Sequence, residues 1–497
     1  MASVVHRLLF HWTRTHFLVV LLLLCTLITT LFYLPESPKV LSSESAVVKQ
    51  ITIPIDPPTW PAQLSMKHQS MYTPSMFFPE QLELNRYKPV TAIIRRVSND
   101  HGIYHVVEHL RKYPFVKEII IDNQVPQASL SPEQFTADVQ IYSGSLQTMG
   151  RYSACAAAAF DSCYFQDDGW LNSYLDSTYT HFLRYPDTIV THTTPQNYID
   201  QLHRRFGHKA WYMHTGYGDV KYGTFVPRST VQQFLEQLAH QNMNNTTLLL
   251  ADIYFTLWSN EYPWLLSNPL LPFKDDELKT QLTQHALDRY VYDAVHRLAQ
   301  ALKDGDIAFN RTEAEPILET RDVRSSCSND RCLFTTNIDP FPLPESIQFN
   351  LENMTSIIQL ESYYDELDVP TKEMQHRAYH KAVDQDAGSC WNTYISPQAG
   401  DYFGLNMIGT IHAKRLVIYA RQKGLNATMF SVSVQEKEEW INCNPKDSRT
   451  LSRNQHRLAL DLNCPNVQAF RAIRISFTKD QLEAFDLCGL SLDNFMV

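Results

Sequence analysis

Residues 90–121 constrain the fold more than any other stretch. VTAII at 90–94 reads as a buried strand, YHVVEHLRKY at 104–113 as an amphipathic helix and VKEIII at 116–121 as a second strand. Together they form a β-α-β unit, and because such crossovers are right-handed the two strands are expected to be parallel. Ligands of open α/β sheets bind beyond the carboxyl ends of the strands. Arg95 and Arg96 stand at that end of the first strand and Asn123 at that end of the second, which makes all three candidate ligand-binding residues.

The theme continues toward the C-terminus. The apolar run CYF leads into Asp167 and Asp168, after a helix expected at 151–160 that opens with Arg151 and before another expected at 170–183. A strand at 188–191, a glycine-punctuated loop at 211–228, a helix at 230–240, an apolar run at 248–258 interrupted only by Asp252, and an amphipathic helix at 278–302 complete an α/β domain over 88–303. The pattern weakens at 304–387, which reads as a linker with peripheral elements. From 388 the period changes to two: RLVIYA, MFSVSV, LALDL and FRAIRISF are short strands between polar turns, predicting an antiparallel β-sandwich over 388–497.

Residues 17–34 carry no Asp, Glu, Lys, Arg or His and are long enough for a single transmembrane helix. Arg7 and Arg14 precede the run and Glu36 follows, which predicts a cytoplasmic tail at 1–16 and translocation of the rest. The run is longer than a signal-peptide core and no A-x-A site follows it. A Pro- and Ser-rich stem spans 35–87. Of the nine cysteines, Cys25 lies in the apolar run; Cys155, Cys163, Cys327, Cys332, Cys390, Cys443, Cys464 and Cys488 remain, an even set that predicts disulfides in an oxidising lumen, with a small loop at Cys327 and Cys332. Sequons at Asn244, Asn245, Asn310, Asn353 and Asn426 fit the same compartment. With 43 basic against 53 acidic residues, a formal charge of −10 and no basic run, a nucleic-acid partner is excluded and an acidic polymer is disfavoured as substrate.

Moving a sugar from a nucleotide donor requires neutralising the diphosphate leaving group, which Mn²⁺ or Mg²⁺ held by carboxylate oxygens can do. Asp167 and Asp168 have the side chains and the placement for such a metal and donor site. The simpler alternative makes Asp168 the N-cap of the helix expected from 170.

The segments VTAIIRRVSN, FVKEIIIDNQ, RYSACAAAAFDSCYFQDDGW, YGTFVPRS and LLADIYFTLWSN, in that order, resemble a GT-A glycosyltransferase, specifically the exostosin-type glycosyltransferase domain and its fungal-looking relatives. The resemblance implies a Rossmann-like mixed sheet, with Mn²⁺ and a UDP-sugar at Asp167 and Asp168. It also implies a late acid, Asp252, near the anomeric carbon, where it would orient the acceptor, act as a base or stabilise an oxocarbenium-like charge. Relatives often carry a third acid at the tip, where this chain has Gly169. Either the two aspartates suffice, or metal binding is weak, or catalysis has been lost. Arg95, Arg96, Asn123 and Arg151 are candidates for uracil, ribose or phosphate contacts, or for ion pairs of purely structural value. His214, Gly216 and Gly218 are candidates for an acceptor loop.

CWNTYISPQAGDYFGLNM, RLVIYA, FSVSVQEKEEWINC, FRAIRISF and FDLCGLSL are similar to a discoidin or coagulation-factor type C domain. This resemblance implies a Cys390–Cys488 bridge, leaving Cys443 with Cys464, and a module that binds glycans, lipids or proteins. The combined expectation is a single-pass type II Golgi membrane glycosyltransferase of the hexosyl or N-acetylhexosaminyl class, acting on a glycan or glycoprotein acceptor. Its rival is a membrane-anchored glycan-binding protein with an inactive transferase domain.

Overall fold

The computed structural model describes residues 87–97, 102–125, 149–241, 248–273, 284–309, 321–339, 377–435, 439–447 and 456–493, with a few further residues and single-residue breaks. The expected membrane span, the stem up to residue 86 and the sequons at Asn244, Asn245, Asn310 and Asn353 lie outside the described residues; Asn426 is described and exposed. No helix among the described residues is long and apolar enough to cross a membrane.

A seven-stranded sheet comprises β1 (Val90–Arg96), β2 (Val116–Asn123), β3 (Val139–Tyr142), β4 (Ser162–Asp167), β5 (Val190–Thr193), β6 (Thr224–Pro227) and β7 (Trp264–Ser267), in the order β3-β2-β1-β4-β6-β5-β7. Its pairs are parallel except where β6 runs antiparallel to β4 and β5, so the sheet is mixed. β1 is buried along its whole length, arginines included, because it lies between β2 and β4. The helices are α1 (Gly102–Leu110), α2 (Met149–Ala156), α3 (Leu175–Arg184), α4 (Pro195–His203), α5 (Arg228–His240), α6 (Ala251–Trp258) and α7 (Gln284–Asp304). α1 buries Ile103, Val106, Val107 and Leu110, the i, i+3, i+4, i+7 face of an amphipathic helix.

Two local expectations are corrected and an unassigned run is resolved. The chain after Asp168 does not enter a helix at 170. Trp170–Leu171 pairs with Leu271–Pro272, and the side chain of Asn172 accepts the Tyr174 N–H (2.9 Å), so α3 begins only at Leu175. The N-cap reading of Asp168 therefore fails. The 248–258 apolar run, to which the sequence assigns no element type, holds α6, buried nearly all round, with Asp252 in the first turn. A continuous apolar run cannot distinguish a buried strand from a buried helix by period alone. The 211–228 stretch is not a plain loop: Arg205–His208 pairs with Met213–Gly216 as a hairpin, and β6 follows.

The second layer is the expected antiparallel sandwich, and it begins earlier than expected. β8 (Val323–Ser326) and β9 (Cys332–Thr336), from the stretch read as linker, join β10 (Tyr402–Ile411), β15 (Phe470–Phe477), β12 (Phe430–Gln435) and β13 (Trp440–Asn442) in one sheet. The other sheet runs from Trp391–Asn392 through β16 (Asp486–Leu492), β11 (Arg415–Ala420) and β14 (Arg457–Asp461) to Lys446–Asp447. Phe403, Phe430, Phe477 and Phe485 meet between them. The bridges are Cys155–Cys163, Cys327–Cys332, Cys390–Cys488 and Cys443–Cys464.

The described residues form one compact unit, and a polar lock helps hold its layers together. The turn closed by Cys327–Cys332 carries Asp330, which accepts the N–H groups of Asp176 (2.8 Å) and Ser177 (3.0 Å) in the first turn of α3. Tyr174, at the N-cap, makes no side-chain cap of its own, so the sandwich caps a helix of the α/β layer. Arg331 completes the lock with a buried 2.6 Å ion pair to Asp176.

Candidate functional site

Parallel register places the charged residues. Arg95 of β1 lies beside Asp122 of β2 on one side and Asp167 of β4 on the other; Arg96 lies beside Asn123. The chain runs from β1 outward through β2 to β3, then returns to place β4 on the other side of β1. The gap between β1 and β4 is thus a switch point of the sheet order, where a crevice opens at the carboxyl ends.

At that point the side chains form a compact ion cluster. Arg95 donates Nε (3.1 Å) and Nη2 (2.6 Å) to the two oxygens of Asp167, and its Nη1 lies 3.2 Å from Asp252 Oδ2. Arg151 of α2 donates Nη2 to Asp167 Oδ1 and has Nε 3.7 Å from Asp252 Oδ1. Tyr152 donates its hydroxyl to Asp252 Oδ1 at 2.7 Å. Burial alone would favour neutral Arg95, but Asp167 and Asp252 outweigh it and hold the guanidinium charged. Burial likewise pushes Asp252 up, yet Arg151 and Arg95 carry it below the usual carboxylate range. It is held ionised, which suits charge stabilisation better than proton abstraction.

The remaining expected residues divide. Arg96 Nη1 reaches Asn123 Oδ1 at 3.4 Å. Asp168 is buried; its N–H donates to Arg95 O (3.0 Å) and its Oδ1 accepts the Val97 N–H (3.1 Å). His214 contacts Tyr212, Asn260 and Tyr262 on the 213–216 hairpin, and Gly216 lies against Tyr262 and Pro263. None of these partners of His214 and Gly216 belongs to the ion cluster. Gly218 is nearer, donating its N–H to Thr256 of α6.

Four residues of the site escaped the sequence reading. Asp122 is fully buried, accepts from Gln124 Nε2 at 2.5 Å and keeps its other oxygen without a hydrogen-bond partner. Burial, the largest influence, pushes its pKa up to about 6. A Cβ on Gly150 would overlap its carboxylate, so glycine is what lets α2 approach. Tyr152 presents the hydroxyl that Asp252 accepts. Lys221, paired with Asp219 at 2.9 Å, adds to the field at Asp252, and that carboxylate in turn acts on Tyr217. An acid one residue before Asn123 was a usable signal for Asp122; no spacing marks the others.

Asp167 and Asp168 as they stand do not fit a metal ion. Both oxygens of Asp167 face guanidinium N–H groups, and one oxygen of Asp168 faces a backbone N–H. Among the described residues no group of three or more His, Cys, Asp or Glu could hold one.

No protein-family model matches the chain, and no curated protein matches it. Among solved structures, chitosan-binding module 2 of a chitosanase/glucanase from Paenibacillus sp. IK-5, in complex with chitotriose, is similar at 15% identity and a TM-score of 0.18, covering 24% of this chain and 88% of that one. The family 32 carbohydrate-binding module of Clostridium perfringens NanJ, in complex with galactose, is similar at 14% and 0.18, covering 23% and 82%. The C-terminal domain of a Bacteroides fragilis chitobiase is similar at 12% and 0.19, covering 24% and 82%. Scores this low carry no argument about function.

Proposed function

We propose that the chain is a GT-A-type glycosyltransferase of the secretory pathway, a type II Golgi membrane protein anchored by residues 17–34, that transfers a sugar from a nucleotide donor, UDP-linked by resemblance, to a glycan. The observation that carries this reading is the register row Asp122–Arg95–Asp167 at the switch point of the mixed sheet. It is where an α/β sheet binds a nucleotide, and it gathers Arg95, Arg96 and Arg151 with Lys221 close by. Donor binding would exchange the carboxylate partners of Arg95 and Arg151 for phosphate oxygens, which guanidinium forks match equally well. Asp252, held ionised, faces the developing positive charge on the sugar. The sandwich, discoidin-like by resemblance, holds the acceptor.

The test is a transfer and donor-hydrolysis assay on the full chain with sugar nucleotides. Asp252→Asn is expected to lower kcat by about a hundredfold, the scale for losing one preorganised electrostatic contact, with little change in KM. An unaltered kcat would remove Asp252 from the chemistry. The second reading, an inactive glycan-binding scaffold, draws on the same cluster: Arg95 and Arg151 are already engaged by Asp167 and Asp252.

A further inference from the structure

On the outward face of the six-stranded sheet, Arg474 of β15 stands in one row with Gly404 of β10, Ser433 of β12 and Asn442 of β13. The row on one side holds Tyr402, Ser476 and Ser431; the row on the other holds Asn406, Ala472, Gln435 and Trp440. Its guanidinium carbon lies 4.0 Å from the centroid of Tyr402 and 4.2 Å from that of Trp440. Two rings from opposite rows therefore fix the plane of the cation. Tyr402 is in turn anchored through its hydroxyl to Asp322 at 2.7 Å. Among the described surface arginines, Arg415, Arg297 and Arg111 each meet a carboxylate. Among the described residues no carboxylate pairs with Arg474, and its Nε is buried without a hydrogen-bond partner. Trp440, on the edge strand, remains 38% exposed.

We propose that this face binds one carboxylate-bearing sugar, a hexuronic acid residue, with its carboxylate on Arg474. A guanidinium presents parallel donors that match a carboxylate bidentately, and ring contacts on both sides hold those donors in place before any ligand arrives. Ser433, Ser476, Ser431 and Asn442 surround it with short side chains able to exchange hydrogen bonds with ring hydroxyls. The exposed part of Trp440 offers apolar surface to the carbon face of a pyranose. Charge complementarity is local: the chain carries a formal −10, so a long polyanion is repelled while one anionic residue on an otherwise neutral glycan is not. This inference is independent of any transfer activity at the sheet tips.

The test is a titration of the full chain, followed by Trp440 indole resonances and calorimetry, with methyl glucuronoside, methyl galacturonoside, the matching neutral hexosides and a short glutamate-containing peptide. The hexuronosides are expected to bind at least about tenfold more tightly than the neutral sugars, the scale of a charge-assisted hydrogen-bond pair. Arg474→Gln should abolish that preference with an unchanged melting temperature. Trp440→Ala, on an exposed edge, should weaken acidic and neutral sugars alike and supports the site even where Arg474→Gln folds poorly. Equal binding of acidic and neutral sugars, an unaltered preference in Arg474→Gln, or tighter binding of the peptide would overturn the proposal.

Discussion

Asp122 shows how far one residue can depart from what its neighbours suggest. It lies near the carboxyl end of a strand as Asp167 does, but Asp167 is held by two arginines, whereas Asp122 keeps a buried oxygen unpartnered and its pKa rises from the usual carboxylate value to about 6. An acid whose folded pKa is raised contributes its full stability below the unfolded pKa and loses it as pH rises through the folded one. Asp122→Asn should therefore match the parent protein below pH ~4 and exceed it above pH ~6, by up to about 3 kcal/mol for a shift of this size. Denaturant titrations of both proteins across that range check this, and a constant difference would refute it. Arg95, Asp167 and Asp252 were legible as strand-tip or late acidic positions from the apolar runs beside them. Their mutual pairing was not, because it depends on β4 crossing to the far side of β1, which no local pattern encodes.

Helix α3 shows the same limit at the scale of an element. Its periodicity is readable, but its start is set from outside: Asp330 of the opposite layer supplies the cap that Tyr174 does not. Asp330→Ala should cost about 1–2 kcal/mol, the range for losing a cap, and should raise amide exchange in the first turn of α3 selectively. Uniform exchange along the helix would contradict that origin. β8 was read as linker for a related reason. Arg324, Ser325 and Ser326 are buried at the layer boundary, where Ser326 meets Asn268 and Ser177, and a strand whose buried positions are polar shows no apolar alternation.

For the whole molecule, the α/β part, the sandwich and the presence of disulfides followed from period and cysteine count, while the tight joining of the layers did not. One consequence is acid sensitivity. His181 and His192 are fully buried; burial holds His192 down to about 3 and His181 well below its usual value. The unfolded chain protonates both near pH 6.5 and the folded chain does not, so their share of stability is complete above that pH and falls below it. The slope is about 1.4 kcal/mol per pH unit for each histidine. Melting temperature should drop steadily from pH 7 to pH 4.5, and a flat profile would show that the pair does not stay neutral.

Donor binding is the most direct test. Calorimetry of the full chain against UDP- and GDP-sugars, in Mn²⁺ and in chelator, is predicted to give saturable heat for at least one donor that Arg95→Gln removes while the fold stays intact. No heat for any sugar nucleotide under either condition, or unchanged heat in Arg95→Gln, would contradict the assignment of the strand tips as a donor site.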